Sequence, residues 1–394
     1  TQAAAMGLKC KILLFAASPL FNDNEPYCTE APQEAVTQNL VWYGGYKAEL
    51  WSQCLQACEE FFTTLAEKGH YELAQASGTT CDDYRSAFNK AYFTRDNTEL
   101  LISTRIIGKY NWDWWYYWGE WVPNGGYTPT LEYMEMFPMS DGTPFDFDKA
   151  VAENKMFFEE NDYNKPTRDP RLYETILVNG AKWAGRSVEL WNGGRENANS
   201  TATGVYATGF GLYKFYKEGK GSLAGNYLEW PYLRLAEVYL IYAEALLKNN
   251  RPADAIAQVD KVRARVGLKG LVESNPGKNM EDANVLLEAI LNERACELGL
   301  EDVRFFDMIR YKRADLFTRP LHGLLIERAD GGTGSWSDKP SADRGPFPKF
   351  KYTEFQISNS ARSWWSNFSS KWYLSAFPVS EVNKGYGLVQ NPGW

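Results

Sequence analysis

Histidine is nearly absent from this 394-residue sequence, which contains only His70 and His322. This scarcity argues against a His general base, a Ser–His triad or a His-rich metal site. Basic residues are also outnumbered, because the sequence has 42 Lys and Arg and 50 Asp and Glu. Its formal net charge is −8. Phosphate groups are bound by concentrations of Lys and Arg, so this balance argues against a nucleic-acid partner and against a basic membrane-binding surface.

Long apolar runs are missing as well. No run approaches the roughly 18 apolar residues of a membrane-spanning helix. The first residues look superficially like a signal peptide, but Lys9 and Lys11 interrupt the apolar stretch. The spacing instead predicts a helix of the mature protein, with one apolar face made of Ala5, Leu8, Ile12, Phe15 and Ala16.

The six cysteines do not have the paired spacing of a zinc site. Cys54 and Cys58 lie one helical turn apart and could bind a metal, but small, partly apolar helix positions explain them more simply. The sequence therefore gives no reason to expect a metal or another cofactor.

Helical periodicity is concentrated in two parts of the chain, residues 1–104 and 231–315. In the first part we predict a helix within 42–69, and in the second part four helices, the last over Asp302 to Arg313. Pro252 suits a first helical turn. Residues 105–230 and 316–394 are rich in Gly, Asn, Pro and aromatic residues, which is typical of loops. The pattern predicts a mainly α fold of tetratricopeptide-like helix pairs with a loop-rich, aromatic-rich insertion.

Several short segments, in this order and along essentially the whole chain, resemble the hallmark segments of the SusD/RagB family. They are DPRLYETI (169–176), TGFGLYKF (208–215), RLAEVYLIYAEALL (234–247), VRARVGL (262–268), NERACELGLEDVRFFDMIRY (292–311), FPVSEVN (377–383) and QNPGW (390–394). One departure is Asp302, where the family usually has Gly after the Glu. Because Asp is a good N-cap residue, we expect Asp302 to cap the helix that follows.

The resemblance implies a non-catalytic surface protein that binds an oligosaccharide. It also implies four tetratricopeptide-like helix pairs, a lipid anchor in the outer membrane and a TonB-dependent transporter beneath the protein. In the family, the signal peptide, the lipidated Cys and the first helices would lie upstream of Thr1. None of the six cysteines is therefore proposed as the anchor.

The segment YNWDWWYYWGEW (110–121) is the first candidate binding site, with Trp114, Trp115, Tyr117 and Trp118. Pyranose rings pack their C–H faces on flat aromatic rings, while nearby carboxylates accept hydrogen bonds from hydroxyl groups. The alternative is a buried aromatic plug that anchors the middle of the chain.

The second candidate lies in residues 182–200, where two Trp stand among Asn, Arg and Gly. Amide and guanidinium groups beside an aromatic face suit sugar binding. The residues we select are Trp183, Trp191, Asn192 and Arg195, together with Trp336 in the later GGTGSWSD loop. The alternative is a flexible surface loop.

Glu293, Glu297 and Glu301 are spaced one helical turn apart and could supply the two carboxyls of a glycosidase. They alternate with Arg294 and Arg304, which favours a structural ion-pair network, and Glu237 and Glu244 fit the same interpretation.

Glycan binding is therefore the function that we predict. A peptide-binding member of the same family, a glycoside hydrolase and a purely structural helical-repeat scaffold remain as alternatives.

Overall fold

The computed structural model describes residues 1–107, 128–159, 162–183, 185–196, 206–216, 227–358 and 364–394. The helices are α1 (Gln2–Ala17), α2 (Glu34–Thr37), α3 (Ala48–Lys68), α4 (Cys81–Phe93), α5 (Leu131–Glu135), α6 (Phe147–Ala152), α7 (Pro170–Thr175), α8 (Leu235–Lys248), α9 (Pro252–Arg265), α10 (Leu271–Ser274), α11 (Ala283–Glu297), α12 (Arg304–Arg310), α13 (Ala314–Phe317) and α14 (Val379–Val382).

Short strands form five two-stranded antiparallel sheets among the described residues. The strands are β1 (Leu100–Ile107), β2 (Phe158–Glu159), β3 (Asp162–Pro166), β4 (Ile176–Leu177), β5 (Lys182–Trp183), β6 (Arg186–Ser187), β7 (Gly211–Leu212), β8 (Tyr227–Arg234), β9 (His322–Arg328) and β10 (Phe350–Gln356). The longer pairs are β1 with β8 and β9 with β10. Three-residue to four-residue 3-10 turns at Ser341–Asp343, Trp364–Asn367 and Ser370–Tyr373 complete the C-terminal part.

Local sequence explains where several helices begin. Thr80 and Asp83 form a reciprocal capping box at α4, and Asp282 accepts hydrogen bonds from two backbone N–H groups at the start of α11. Pro252 occupies the first turn of α9, as predicted, because its missing N–H has no helical partner there.

The long helices pack into one core. α1 lies on α3, and α8 contacts α3, α9 and α11. The buried side chains at the centre of this core are mostly aliphatic, and Cys54 and Cys58 lie among them. The predicted mainly α scaffold of packed helix pairs is confirmed. Among the described residues, no helix is both long and apolar enough to cross a membrane.

The helix α1 is confirmed, but the apolar face identified from the spacing is not its most buried face. The buried residues are Gly7, Cys10, Leu14 and Ala17, whereas Ile12 is 58% exposed. Both faces of this helix are apolar, so periodicity alone cannot choose between them. Gly7 favours the observed face because it has no side chain, and a Cβ there would lie 3.1 Å from side-chain carbons of Leu101 and Leu233.

The predicted cap at Asp302 is also wrong. Asp302 has a left-handed backbone conformation with φ of 58°. The following helix starts only at Arg304, its N-cap is Val303, and no side chain caps it. The helix predicted over Asp302 to Arg313 is therefore shorter, because the left-handed residue ends the preceding turn and does not begin the next helix.

A second core lies under the loop-rich parts of the chain. It joins residues from 131–216 to Leu324, Ile326 and Phe350, so the middle region and the C-terminal segment share one set of buried side chains. This core supports the loops that carry the candidate binding residues.

Candidate functional site

A buried network of charged side chains lies where the two cores meet. Glu297 is fully buried and accepts hydrogen bonds from Arg171 at 2.9 Å, from Arg234 at 2.6 Å and from Arg265. The network continues through Glu99, Glu293, Glu301, Asp169, Arg263 and Lys214. A structural ion-pair network was the favoured interpretation of these acids, and their geometry agrees with it.

The predicted partners of these acids are wrong. Arg294 pairs with Asp307 at 2.8 Å, and Arg304 makes no ion pair with a described residue. The true partners come from other elements, and the acids are buried instead of lying on a solvated helix face. The spacing on one helix could not show this, because the arginines approach from α7, β8 and α9.

The electrostatics of the network oppose acid–base chemistry. Burial raises the pKa of Glu297, but the surrounding Arg265, Arg234 and Arg171 outweigh burial and hold the pKa well below its ordinary value. A carboxylate held in this way remains ionised and is bonded on both oxygens. It therefore lacks the raised pKa and the access to substrate that a glycosidase acid requires.

Glu244 belongs to a neighbouring group of buried charges. Its carboxylate accepts a hydrogen bond from Arg310 at 2.6 Å, and Arg310 also bonds Asp307 at 2.8 Å. Glu237 lies 3.7 Å from Arg294 and 3.2 Å from Lys11. The geometry of both acids thus agrees with the ion-pair interpretation.

Two loops, residues 189–196 and 333–344, are joined by a single buried carboxylate, and we call them the Glu189 loop pair. Glu189 accepts hydrogen bonds from the backbone N–H of Arg195 at 3.0 Å, of Trp336 at 3.2 Å and of Ser337 at 2.6 Å. The Ser337 hydroxyl donates a fourth. Glu189 is 0% exposed, so these bonds replace its hydration. Sequence reasoning missed Glu189, since only the fold shows that it is buried.

The Glu189 loop pair brings three of the predicted site residues close together at the surface. Asn192 and Arg195 are exposed on the first loop, and Trp336 is half-buried on the second. Arg195 reaches across to Asp338 at 3.3 Å. Trp336 donates from its indole to the Arg344 carbonyl at 2.8 Å, which fixes its orientation. The result is a surface with amide, guanidinium, carboxylate and indole groups side by side.

Trp183 and Trp191 are buried inside the second core, although Trp191 belongs to the first loop of the pair. They are 1% and 0% exposed. The Trp191 ring lies 5.0 Å from Phe350, and its indole donates to the Gly334 carbonyl at 3.3 Å. In this arrangement neither ring offers a face to a ligand, and both support the loops from below.

Trp114, Trp115, Tyr117 and Trp118 lie outside the described residues. The last described residue before them is Ile107, which pairs with Tyr227 at the end of the β1–β8 ladder. Their assignment to a binding site stays a prediction.

Comparison with known proteins gives consistent matches. The model of the SusD family matches residues 86–394. Over 98 residues, 24% of this chain and 19% of the relative, the sequence is 35% identical to SusD-like protein P38 of Formosa agariphila. A SusD-like protein of Bacteroides fragilis, BF3747, is 23% identical with a TM-score of 0.66, covering 100% of this chain and 65% of that one. The protein BT4246 is 22% identical with a TM-score of 0.70, and the match covers 100% of this chain and 71% of that one. The chain thus spans under two thirds of the length of the Bacteroides fragilis protein.

Proposed function

Because the chain belongs to the SusD family, we propose that it binds an oligosaccharide without chemically altering it. The observation that carries this proposal is the family match over residues 86–394, which include the Glu189 loop pair and the buried charge network. The resemblance of the hallmark segments implies the same function.

The Glu189 loop pair supplies groups suited to a sugar. Asn192 can both donate to and accept from hydroxyl groups, and Arg195 and Asp338 add a donor and an acceptor. Trp336 offers part of an indole face beside them. Such a surface is shallow and polar, which suits a protein that must release what it binds.

The aromatic run at 110–121 is the second part of the proposed site. Trp114, Trp115, Tyr117 and Trp118 would stack on pyranose rings, and the density of Trp favours a saccharide over a peptide.

The proposal includes the surroundings of the protein. As in the family that it resembles, we place it at the outer-membrane surface, held by a lipid anchor and seated over a TonB-dependent transporter that receives the glycan. The buried, fully paired state of Glu293 and Glu297 favours binding over hydrolysis.

Calorimetric titration against a panel of oligosaccharides and a matched panel of short peptides tests this function. We expect saccharide binding that weakens in Trp336→Ala, in Arg195→Ala and in the double variant Trp114→Ala, Trp115→Ala. Tyr386→Ala is the control, because it removes a 61% exposed ring outside the proposed site.

Each variant should keep the thermal unfolding transition of the parent, so that weaker binding can be assigned to the lost contact. Binding to peptides alone would overturn the glycan assignment and leave a peptide-binding member of the family. Hydrolysis of a bound saccharide would overturn the non-catalytic assignment.

A further inference from the structure

A cavity of about 860 Å³ lies among α5, the turn after α11, α12, α13 and the C-terminal 3-10 turns. We call it the Arg304 cavity; Tyr133, Leu300, Arg304, Phe305, Arg319 and Trp372 are among the residues that line it. Phe305 is 55% exposed and Trp372 is 39% exposed, so aromatic surface is available at its walls. None of its lining residues belongs to the Glu189 loop pair.

Two arginines that line this cavity pair with none of the residues that the structure describes. Every other arginine that the structure describes makes a hydrogen bond or an ion pair, including those buried in the charge network. Arg304 and Arg319, by contrast, form neither with any described residue. Both line the same cavity: the half-buried Arg304 begins α12, and the exposed Arg319 lies in the loop between α13 and β9.

The charge of Arg304 is poorly compensated. Burial lowers its pKa, and the nearby Asp307 only partly offsets that effect. Asp307 is already engaged by Arg294 and Arg310, each at 2.8 Å. A half-buried guanidinium without a partner loses hydration and gains no hydrogen bond in return. An anion in the cavity would supply the missing bonds.

The cavity is also lined by groups that can bind hydroxyls. Glu135 makes no hydrogen bond with a described residue, and its pKa is raised by burial and by the neighbouring Glu132. Glu132 itself accepts from the backbone N–H of His322 at 2.9 Å. Asn292 uses its amide N–H to bond the Met136 carbonyl at 2.9 Å, which leaves its carbonyl oxygen available. Cationic groups, hydroxyl-binding groups and aromatic surface therefore meet in one cavity.

We propose that the Arg304 cavity is a subsite for an acidic sugar residue, whose carboxylate or sulfate is held by Arg304 and Arg319 while Trp372 and Phe305 contact the ring. This inference rests on the proposed glycan-binding function and deepens it by naming the class of saccharide. A charged acceptor forms stronger hydrogen bonds with the half-buried guanidinium of Arg304 and the exposed guanidinium of Arg319 than a neutral acceptor does.

Titration with charge-matched saccharides tests the inference. The probes are tetragalacturonate and its methyl ester, and a sulfated galactan oligosaccharide and its desulfated form. We expect at least one acidic probe to bind about ten- to a hundredfold more tightly than its neutral counterpart, as charge-assisted hydrogen bonds imply. The preferred acidic probe distinguishes carboxylate from sulfate.

Arg304→Gln and Arg319→Gln should each remove most of that preference, and added salt should reduce it. Arg251→Gln is the control, since it removes a charge paired with Glu59 and Asp254 on the surface, away from the cavity. Arg304→Gln should also melt at an equal or higher temperature, because it removes an uncompensated charge. A merely structural Arg304 would instead lower the melting temperature when replaced.

The outcomes separate this inference from the function on which it rests. Equal binding of acidic and neutral probes, or an acid preference that survives both arginine variants, would overturn the inference and leave glycan binding intact. No binding of any saccharide by the folded protein would overturn both. Arginine-dependent binding of acidic peptides but not of acidic saccharides would overturn the inference in favour of a polypeptide ligand.

Discussion

Asp302 has a left-handed backbone conformation, with φ of 58°, in the turn between α11 and α12. A side chain is disfavoured in this conformation because its Cβ crowds the backbone, and Gly has no such crowding. Asp is tolerated better than most residues there. Its exposed carboxylate makes no hydrogen bond with a described residue, so little is gained in return.

Asp302→Gly should therefore raise the free energy of unfolding by up to about 1 kcal/mol, because it removes backbone strain. The greater conformational freedom of Gly in the unfolded chain offsets part of this gain. Asp302→Ala keeps the Cβ and should be no more stable than the parent. Urea unfolding of the three proteins measures the difference. If Ala stabilises as much as Gly, backbone strain is not the cause.

Lys214 is fully buried between Glu301 and the rings of Phe88 and Tyr92. Burial is the main cause that lowers its pKa, from 10.5 to about 8. The unfolded chain therefore binds the Lys214 proton more tightly than the folded chain does. The cost of burying the charged amine is present below pH 8 and disappears as the pH rises towards 10.5.

We expect the stability of the parent relative to Lys214→Met to rise by about 1 to 3 kcal/mol from pH 8 to pH 10.5. Other titrating groups are shared by both proteins and cancel in the difference. Urea unfolding at a series of pH values measures it. A difference that stays flat with pH, or falls, would show that Lys214 does not have a lowered pKa.

At the scale of structural elements, the relative position of the two loops of the Glu189 loop pair is set more by one carboxylate than by helices or strands. The loops approach closely: Gly193 has φ of 83°, and a Cβ there would lie 3.2 Å from the backbone nitrogen of Gly334. Four hydrogen bonds to Glu189 then set their relative position. The exposed site residues are held in place by this buried group.

Glu189→Ala should lower the free energy of unfolding by about 3 kcal/mol, because it leaves several buried N–H groups without acceptors. Glu189→Gln should cost less, as its amide oxygen still accepts. Urea unfolding gives the cost, and hydrogen exchange should quicken at the amides of Arg195, Trp336 and Ser337. Glu327→Ala, an exposed position on β9, is the control. Unchanged exchange in Glu189→Ala would show that other contacts position the loops.

At the scale of the whole molecule, the charge network connects parts of the chain that are far apart in sequence. Arg171 lies in the first turn of α7. Arg234 is the last residue of β8, Arg265 is the last residue of α9, and Glu297 is the last residue of α11. Five of the hallmark segments, at 169–176, 208–215, 234–247, 262–268 and 292–311, contribute residues to it. These segments are therefore neighbours in space, and the buried charges of each segment are compensated by charges from the others.

Replacing Glu297 should therefore destabilise the whole fold and not one element. Glu297→Ala leaves Arg171, Arg234 and Arg265 with one acceptor fewer, and we expect a loss of about 3 to 5 kcal/mol in the free energy of unfolding. Glu60→Gln, which breaks an exposed pair with Lys9, should change stability far less. Urea unfolding compares them. A small loss for Glu297→Ala would mean that the arginines are satisfied elsewhere.

The sequence by itself determined most of the long helices and the family, but it did not predict the 13-residue helix α4. Helical periodicity and capping residues act over a few neighbouring residues, so α3, α8, α9 and α11 could be predicted within a few positions of their observed ends. The hallmark segments are also short stretches of consecutive residues, so the family could be identified from the sequence alone.

Only the tertiary structure decided which surfaces are buried and which residues meet. α1 is apolar on both faces, and packing against α3 selected one of them. Trp191 is buried while Trp336 is half-exposed, and Arg195 lies beside Asp338, although 143 residues separate them. Glu297 takes its arginines from three other elements. Burial and ion pairing depend on contacts between distant segments, and no local pattern in the sequence contains that information.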